Sequence, residues 1–314
     1  LEYLALAGIP RGKNSNIYVV DPTTGVGSDS NDGDRWGKPL ATVSAAYAKC
    51  VSGQHDTVLL VASAQAVNEL ARITWSKNLT HLVGLGARTH VAQRTRITCG
   101  YDQAASTYAF LTVSAYGCIF DNLYIWQGRD DADSLRNVDM TGQRNLFHNV
   151  HFAGGGHATQ AVDGGASVYI NGGSENLFDG CTIGVDTVDA ATGMAALVFA
   201  ATGGAARNVF RRCRFTLQAG HAGAIFVEVL GNSGIDRYQI FDRCQFINLS
   251  GTAMTQAIAV AAGFDANNKR LLLEECSLLG ATDWEANDRG AVYLSRGTIT
   301  AGGNAGILQA SAVT

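Results

Sequence analysis

Apolar and polar positions along this chain come in short alternating bursts, and one burst returns six times. In residues 118–125, 145–152, 176–183, 208–215, 239–246 and 271–278, an apolar anchor is followed by two variable residues. An apolar or Cys position comes next, then one variable residue and a further apolar one. The anchors Phe120, Phe147, Phe178, Phe210, Phe241 and Leu273 are spaced by 27, 31, 32, 31 and 32 residues. A period of this size predicts stacked repeats, because one repeat alone has nothing to cover its apolar side. Beyond the bend the apolar residues sit two apart, as in Cys181 and Ile183 or Cys213 and Phe215, which is strand periodicity. The two residues after each anchor predict the bend itself, and the second of them is Gly180 in one copy. Further apolar runs lie before the phrases (110–113, 168–170, 197–199, 225–227 and 258–260), and another, 292–294, follows the last. Turn signals such as Asn171-Gly172-Gly173 and Thr202-Gly203-Gly204 close several of them.

Each repeat thus reads as strand, turn, bent strand and variable loop. That is one coil of an all-β, single-stranded, right-handed parallel β-helix, with equivalent strands of successive coils about 4.8 Å apart. Proline placement agrees. The three prolines are Pro10, Pro22 and Pro39, and none follows. Strands paired on both sides cannot give up an N–H. The column Leu123, Val150, Cys181, Cys213, Cys244 and Cys276 is expected to point inward. Its thiols should stack as small hydrophobes without forming disulfides, since parallel in-register Cβ atoms sit farther apart than the roughly 3.5–4.5 Å a disulfide needs. Seven cysteines with no zinc-type spacing suggest synthesis in a reducing compartment.

Composition fits a turn-rich solenoid. Gly is 37 of 314 residues, about 12% against a typical ~7%, and charged residues are 16% against about 25%. A net charge of −4 gives no nucleic-acid footprint. No apolar run approaches a membrane span, and Leu1-Glu2-Tyr3-Leu4 lacks the basic region of a secretory signal. The one basic cluster, Arg211, Arg212, Arg214 and Arg243, is expected to be a solvated face paired with Asp242, Glu274 and Glu275.

Three parts are expected: an N-terminal arm and lead-in segment (1–38), a capping α-helix (39–55) and the parallel β-helix (56–314). The polar loop 27–34 crowds oxygen ligands but fails the calcium-loop pattern, with Gly33 at the fifth ligand position and Asp34 where the glycine belongs. It predicts an Asx-turn loop instead. Residues 40–50 predict an amphipathic helix with Pro39 in its first turn and Val43, Ala46 and Tyr47 on the apolar stripe. Such a helix would cover the open end of the solenoid.

Tyr18-Val19, the loop 27–33, Trp36, Pro39, Thr42-Val43, Ala45-Ala46 and Asp56-Thr57-Val58 together resemble the N-terminal segment of pectate-lyase-like right-handed β-helix proteins. The kind resembled is found in tailed-phage virions: tailspikes, fibres and head-surface decoration proteins. The resemblance implies fold strongly and function weakly. It implies a non-enzymatic structural protein of a virion, made in the bacterial host cytoplasm and most simply a capsid-surface decoration protein. The expected partners are further copies of itself in a homotrimer and virion proteins such as the major capsid protein. A tailspike-like binder or degrader of host surface polysaccharide is the alternative. Tailspikes that cut polysaccharide usually carry a trimerising β-domain after the helix, and the uncharged stretch 297–314 does not read as one. It is expected to be covered by a partner or to fold back on the last coil.

Candidate chemistry is sparse. Outward positions after the anchors run Asp121, His148, Asp179, Arg211, Asp242 and Glu274. Asp242 and Glu274 could stand at the separation of a retaining glycosidase pair, but the surrounding Arg211, Arg243 and Glu275 favour a surface ion network. Asp130, Asp131 and Asp133 crowd one loop, His157 follows three glycines, and His221 lies between small residues without paired aspartates nearby. No catalytic residue, cofactor site or metal site is nominated.

Overall fold

The computed structural model describes residues 11–105, 108–264, 269–287 and 290–295, and the backbone of 307–309. The arm 1–10 and most of the C-terminal stretch lie outside the described residues. The chain winds into a right-handed parallel β-solenoid of about seven turns with very little helix. Seven parallel strands stack in sequence order to form one sheet: Ile73–Trp75, Ala109–Val113, Arg136–Met140, Ala166–Ile170, Ala195–Phe199, Ile225–Val229 and Ile258–Val260. The recurring phrase forms the other, larger sheet. There Ile119–Trp126 pairs with Leu146–Ala153, and each later phrase pairs with the next in parallel, Phe147 opposite Phe178, Phe178 opposite Phe210 and Phe210 opposite Phe241.

The bend after each anchor is a single left-handed residue. Asn122, Asn149, Gly180, Arg212, Arg243 and Glu275 have φ of 56°, 51°, 62°, 54°, 52° and 51°. Only Gly180 adopts this conformation without steric cost. Arg212 and Arg243 are held by neighbours: the N–H of Arg212 donates to the Asp242 carbonyl (2.7 Å) and that of Arg243 to the Glu274 carbonyl (2.7 Å). Beyond the bend the thiols turn inward as expected. Cys181, Cys213 and Cys244 are buried, Cys276 is partly so, and all are free. Each also donates one rung back. The Sγ atoms of Cys181, Cys213, Cys244 and Cys276 lie 3.3, 3.3, 3.2 and 3.2 Å from the carbonyls of Phe147, Phe178, Phe210 and Phe241.

The anchors stack into a continuous aromatic column that begins in the helix. Centroids run Tyr47–Trp75 4.1 Å, Trp75–Phe120 5.2 Å, Phe120–Phe147 4.8 Å, Phe147–Phe178 4.8 Å, Phe178–Phe210 4.7 Å and Phe210–Phe241 4.9 Å. The helix Val43–Lys49 buries Val43, Ala46 and Tyr47, the expected stripe. It starts later than expected, and Pro39 stands outside it. The residues between are used otherwise: Leu40 bridges Val20, and Thr42 is the N-cap, its Oγ1 accepting from the Ala45 N–H at 3.2 Å. Glu69, buried, closes the same end by accepting from the N–H groups of Val43 (2.7 Å) and Ser44 (3.1 Å). The polar loop serves the same junction, with Asp29 Oδ1 accepting from Ala41 and Thr42 N–H (both 2.9 Å).

A second ladder went unread in the sequence. Asn145, Asn176, Asn208 and Gln239 occupy the first position of four of the six phrases and are buried. The Asn145 N–H donates to Asn176 Oδ1 (3.0 Å), the Asn176 N–H to Asn208 Oδ1 (2.9 Å) and the Asn208 N–H to Gln239 Oε1 (3.2 Å). Each amide nitrogen in turn donates to a turn carbonyl: Ala115, Gly142, Gly173 and Ala205, at 2.9, 3.1, 2.9 and 2.7 Å. Burial leaves these turn groups no water, so the amide column satisfies them.

At the C-terminal end, Val292–Ser295 continues the phrase sheet, Leu271 opposite Val292, and not the seven-stranded sheet to which its apolar run seemed kin. The short strand Ile307–Gln309 then returns antiparallel on it. At least this part of the C-terminal stretch therefore folds back on the last coil.

Candidate functional site

Titratable groups concentrate where one coil departs from the repeat. In the coil of Ile119–Trp126, two residues, Asn122 and Leu123, separate Asp121 from Tyr124. In the preceding coil, Val83 aligns with Asp121 and Arg96 with Tyr124, so residues 84–95 span the same gap. These twelve residues, ten more than in the next coil, form a strap that lies across the outer face of the following coils. Its root is fixed by Asn122, whose Nδ2 donates to the carbonyls of Gly84 and Gly86 (both 3.0 Å). Gly84 is required there, because a Cβ would collide with the Asn122 carbonyl.

Farther along, Arg88 grips Asp121 with both terminal nitrogens (2.8 and 2.6 Å), and His148 Nδ1 stands 2.8 Å from the same carboxylate. Asp121 is buried. Burial pushes its pKa up, but the hydrogen bonds of His148 and Arg88, with the Arg88 charge, outweigh it and hold the carboxyl below its ordinary value. Gln93 Nε2 donates to the Asn149 carbonyl (2.9 Å), and Thr182 Oγ1 to the His90 carbonyl (2.7 Å). The Ala92 N–H donates to His151 Nδ1 (3.1 Å), while His151 Nε2 faces the Gly184 carbonyl (2.9 Å). One ring nitrogen accepts and the other donates, which only the neutral imidazole does. Burial accordingly pulls the His151 pKa down to about 4. His81 is similar: its Nδ1 accepts from the Ile119 N–H (3.1 Å), and burial with the neighbouring His55 brings its pKa to about 4.

Tyr124 and Trp126 flank the strap's return, rings 5.9 Å apart, and line a cleft of about 290 Å³ with Ala66, Arg96 and Thr98. Elsewhere two of the outward acids, Asp179 and Asp242, are taken up by guanidinium groups. Arg212 holds Asp179 (2.7 and 2.8 Å), and Arg243 holds Asp242 (2.8 and 3.0 Å), with Arg211 at 3.5 Å from the latter. The expected ion network is present only in part: Asp242 takes Arg211 and Arg243, Asp179 is a partner the sequence did not suggest, and among the described residues Glu274 and Glu275 form no ion pair. Arg243 pulls the Asp242 pKa below its ordinary value, so this carboxyl is a poor proton donor. Of the other weighed residues, Asp131 staples its own loop, accepting from Ser134 Oγ (2.5 Å) and the Gln103 N–H (2.7 Å). His157 lies 3.4 Å from Asp130, and His221 Nδ1 lies 2.6 Å from Thr192 Oγ1. Among the described residues no group of three or more His, Cys, Asp and Glu side chains is placed to hold a metal ion.

No protein-family model matches this sequence, and no curated protein matches it. Solved structures do match. The pectate lyase Pel9A superposes with a TM-score of 0.55 at 15% identity, over 91% of this chain and 74% of that one. The pectin methylesterase from Aspergillus niger gives 0.55 at 14%, over 91% and 85%. The fold is a pectate-lyase-like parallel β-helix. At these identities the likeness concerns the fold alone. ORF18 of Geobacillus virus E2 aligns over 93% of this chain and 62% of its own at a TM-score of 0.44 and 12% identity, too low to carry an argument.

The strap was missed in the sequence, although a signal existed: Leu82, the counterpart of Phe120, lies 38 residues before it, well above the spacing of the six phrases. No helix among the described residues is long and apolar enough to cross a membrane.

Proposed function

We propose that this chain is a non-enzymatic structural protein of a tailed-phage particle. In this reading it is a rigid solenoid on the capsid surface, assembled as a homotrimer against the major capsid protein after synthesis in the host cytoplasm. The observation that carries the non-enzymatic part is the state of three carboxylates in the outward row of the phrase sheet. Asp121, Asp179 and Asp242 each lie in guanidinium pairs, and these pairs link neighbouring coils (Arg88 to Asp121, Arg212 to Asp179, Arg211 to Asp242). A glycosidase needs one carboxyl held protonated beside an ionised one, and Asp242 is pushed the wrong way for that role. The phage part rests on the lead-in segment, in which Asp29 of the loop and Thr42 of the cap meet at the helix junction. Cryo-electron microscopy of native particles, with mass spectrometry of their proteins, tests the proposal. Rod-like density at a capsid three-fold supports it; absence of the chain from purified particles, or a monodisperse monomer, overturns it.

One observation favours the second reading, a polysaccharide-binding β-helix. The cleft beside Tyr124 and Trp126 offers aromatic faces together with the Arg96 guanidinium, and the structural neighbours include a pectate lyase and a pectin methylesterase. Incubation with pectate and bacterial surface polysaccharides separates the readings. Tryptophan quenching lost in Trp126→Ala would support binding, and new reducing or unsaturated ends would support cleavage.

A further inference from the structure

The strap 84–95 is tied by hydrogen bonds to residues of three successive coils downstream of its own, and its two halves are held differently. The near half is held by charge, Arg88 on Asp121 with His148 alongside (2.6–2.8 Å). The far half has no ion pair among the contacts described. It is held by the Ala92 N–H on His151 Nδ1, by Gln93 on the Asn149 carbonyl and by Thr182 on the His90 carbonyl. Residues 86–92 are otherwise exposed, so little apolar burial retains them.

We propose that the far half of the strap is an acid-releasable latch, closed while His151 is neutral and opened when the ring gains its second proton. Protonated Nδ1 would face the Ala92 N–H donor against donor, and the contact would turn from attraction to repulsion. The charged and titratable groups around the ring do not replace the lost bond. Tyr124 lies at 4.9 Å ring to ring, Asp186 favours the imidazolium and Arg214 opposes it. The Arg88–Asp121 clasp outlasts the latch, because Asp121 stays ionised below its ordinary range. Opening thus hinges beyond Arg88: the far half lifts and uncovers Asn149, His151 and Thr182, while the root and Arg88 stay seated.

The test places a nitroxide at Val91→Cys, an exposed strap position, in the full chain, with labelled wild type as background for the partly exposed Cys276. Spectral mobility and far-ultraviolet ellipticity are followed together from pH 7 to 3. The latch predicts mobilisation with a midpoint near 4 while ellipticity holds, and its loss in His151→Gln, which keeps a donor and an acceptor but takes up no proton. Mobilisation only with loss of ellipticity, or an unchanged profile in His151→Gln, overturns it. Should His151→Gln fail to fold, Thr182→Val decides. It removes a strap contact that does not titrate, so the latch predicts a midpoint shifted to higher pH, and an unmoved midpoint refutes it.

Discussion

Replacing Asn176 with Ala tests whether the buried amide column holds the coils together or merely fills space. The side chain is 1% exposed. Its Oδ1 takes the Asn145 N–H at 3.0 Å, and its Nδ2 reaches the Gly142 carbonyl at 3.1 Å and Asn208 Oδ1 at 3.1 Å. Truncation orphans two backbone groups, the Asn145 N–H and the Gly142 carbonyl. Asn208 Oδ1 is not orphaned, since it keeps the Asn176 N–H. An unsatisfied buried donor or acceptor costs about 1–3 kcal/mol, so the expected loss is about 2–6 kcal/mol. Asn176→Asp is the sharper probe, because it retains the acceptor but turns an oxygen toward two acceptors. It should be less damaging at low pH, where the carboxyl is protonated and can donate, and worse at neutral pH. Urea unfolding followed by circular dichroism measures the loss. Hydrogen–deuterium exchange of the peptide containing Asn145 locates it. A stability change below about 1 kcal/mol in Asn176→Ala, with Asn145 exchange unchanged, would refute the reasoning.

Phe178→Ala opens the middle of the aromatic column and should cost about 3–5 kcal/mol by thermal or urea unfolding, whereas Arg212→Ala, which removes an exposed ion pair, should cost under about 1 kcal/mol. An unfolded histidine titrates near 6.5 but His81 and His151 only near 4. Between those values the unfolded chain binds more protons, so the melting temperature should fall as pH drops through that window. For His151 a displacement of this size corresponds to about 3 kcal/mol, and His151→Gln should flatten part of the slope. Buried free thiols should react with Ellman's reagent only on denaturation, apart from the partly exposed Cys276, and reduction should leave the native melting curve unchanged.

Much of the fold was legible because burial in a solenoid is a local pattern repeated. The Phe anchors, the inward thiols, the bend after each anchor and the absence of proline after Pro39 each follow from one coil and recur in the next. The alternation of Val138 and Met140 could have announced Arg136–Met140 as well, but Arg136, Asn137 and Asp139 masked it. The helix was legible by its stripe and not by its start, because a Leu40–Val20 bridge competes for the residues before Thr42.

The sequence alone thus determined the winding, the period and which residues face inward, since those depend only on spacing and hydrophobicity. Tertiary structure alone decided which outward groups meet. His90 and Thr182 lie 92 residues apart and touch only because the strap folds down over three coils. Asp179 chooses Arg212 because the left-handed bend swings that side chain back one rung, and His151 is neutral because the strap and Gly184 close on its two nitrogens. Contacts of this kind depend on the direction of a loop and the height of a rung, which exist only once the coils have stacked.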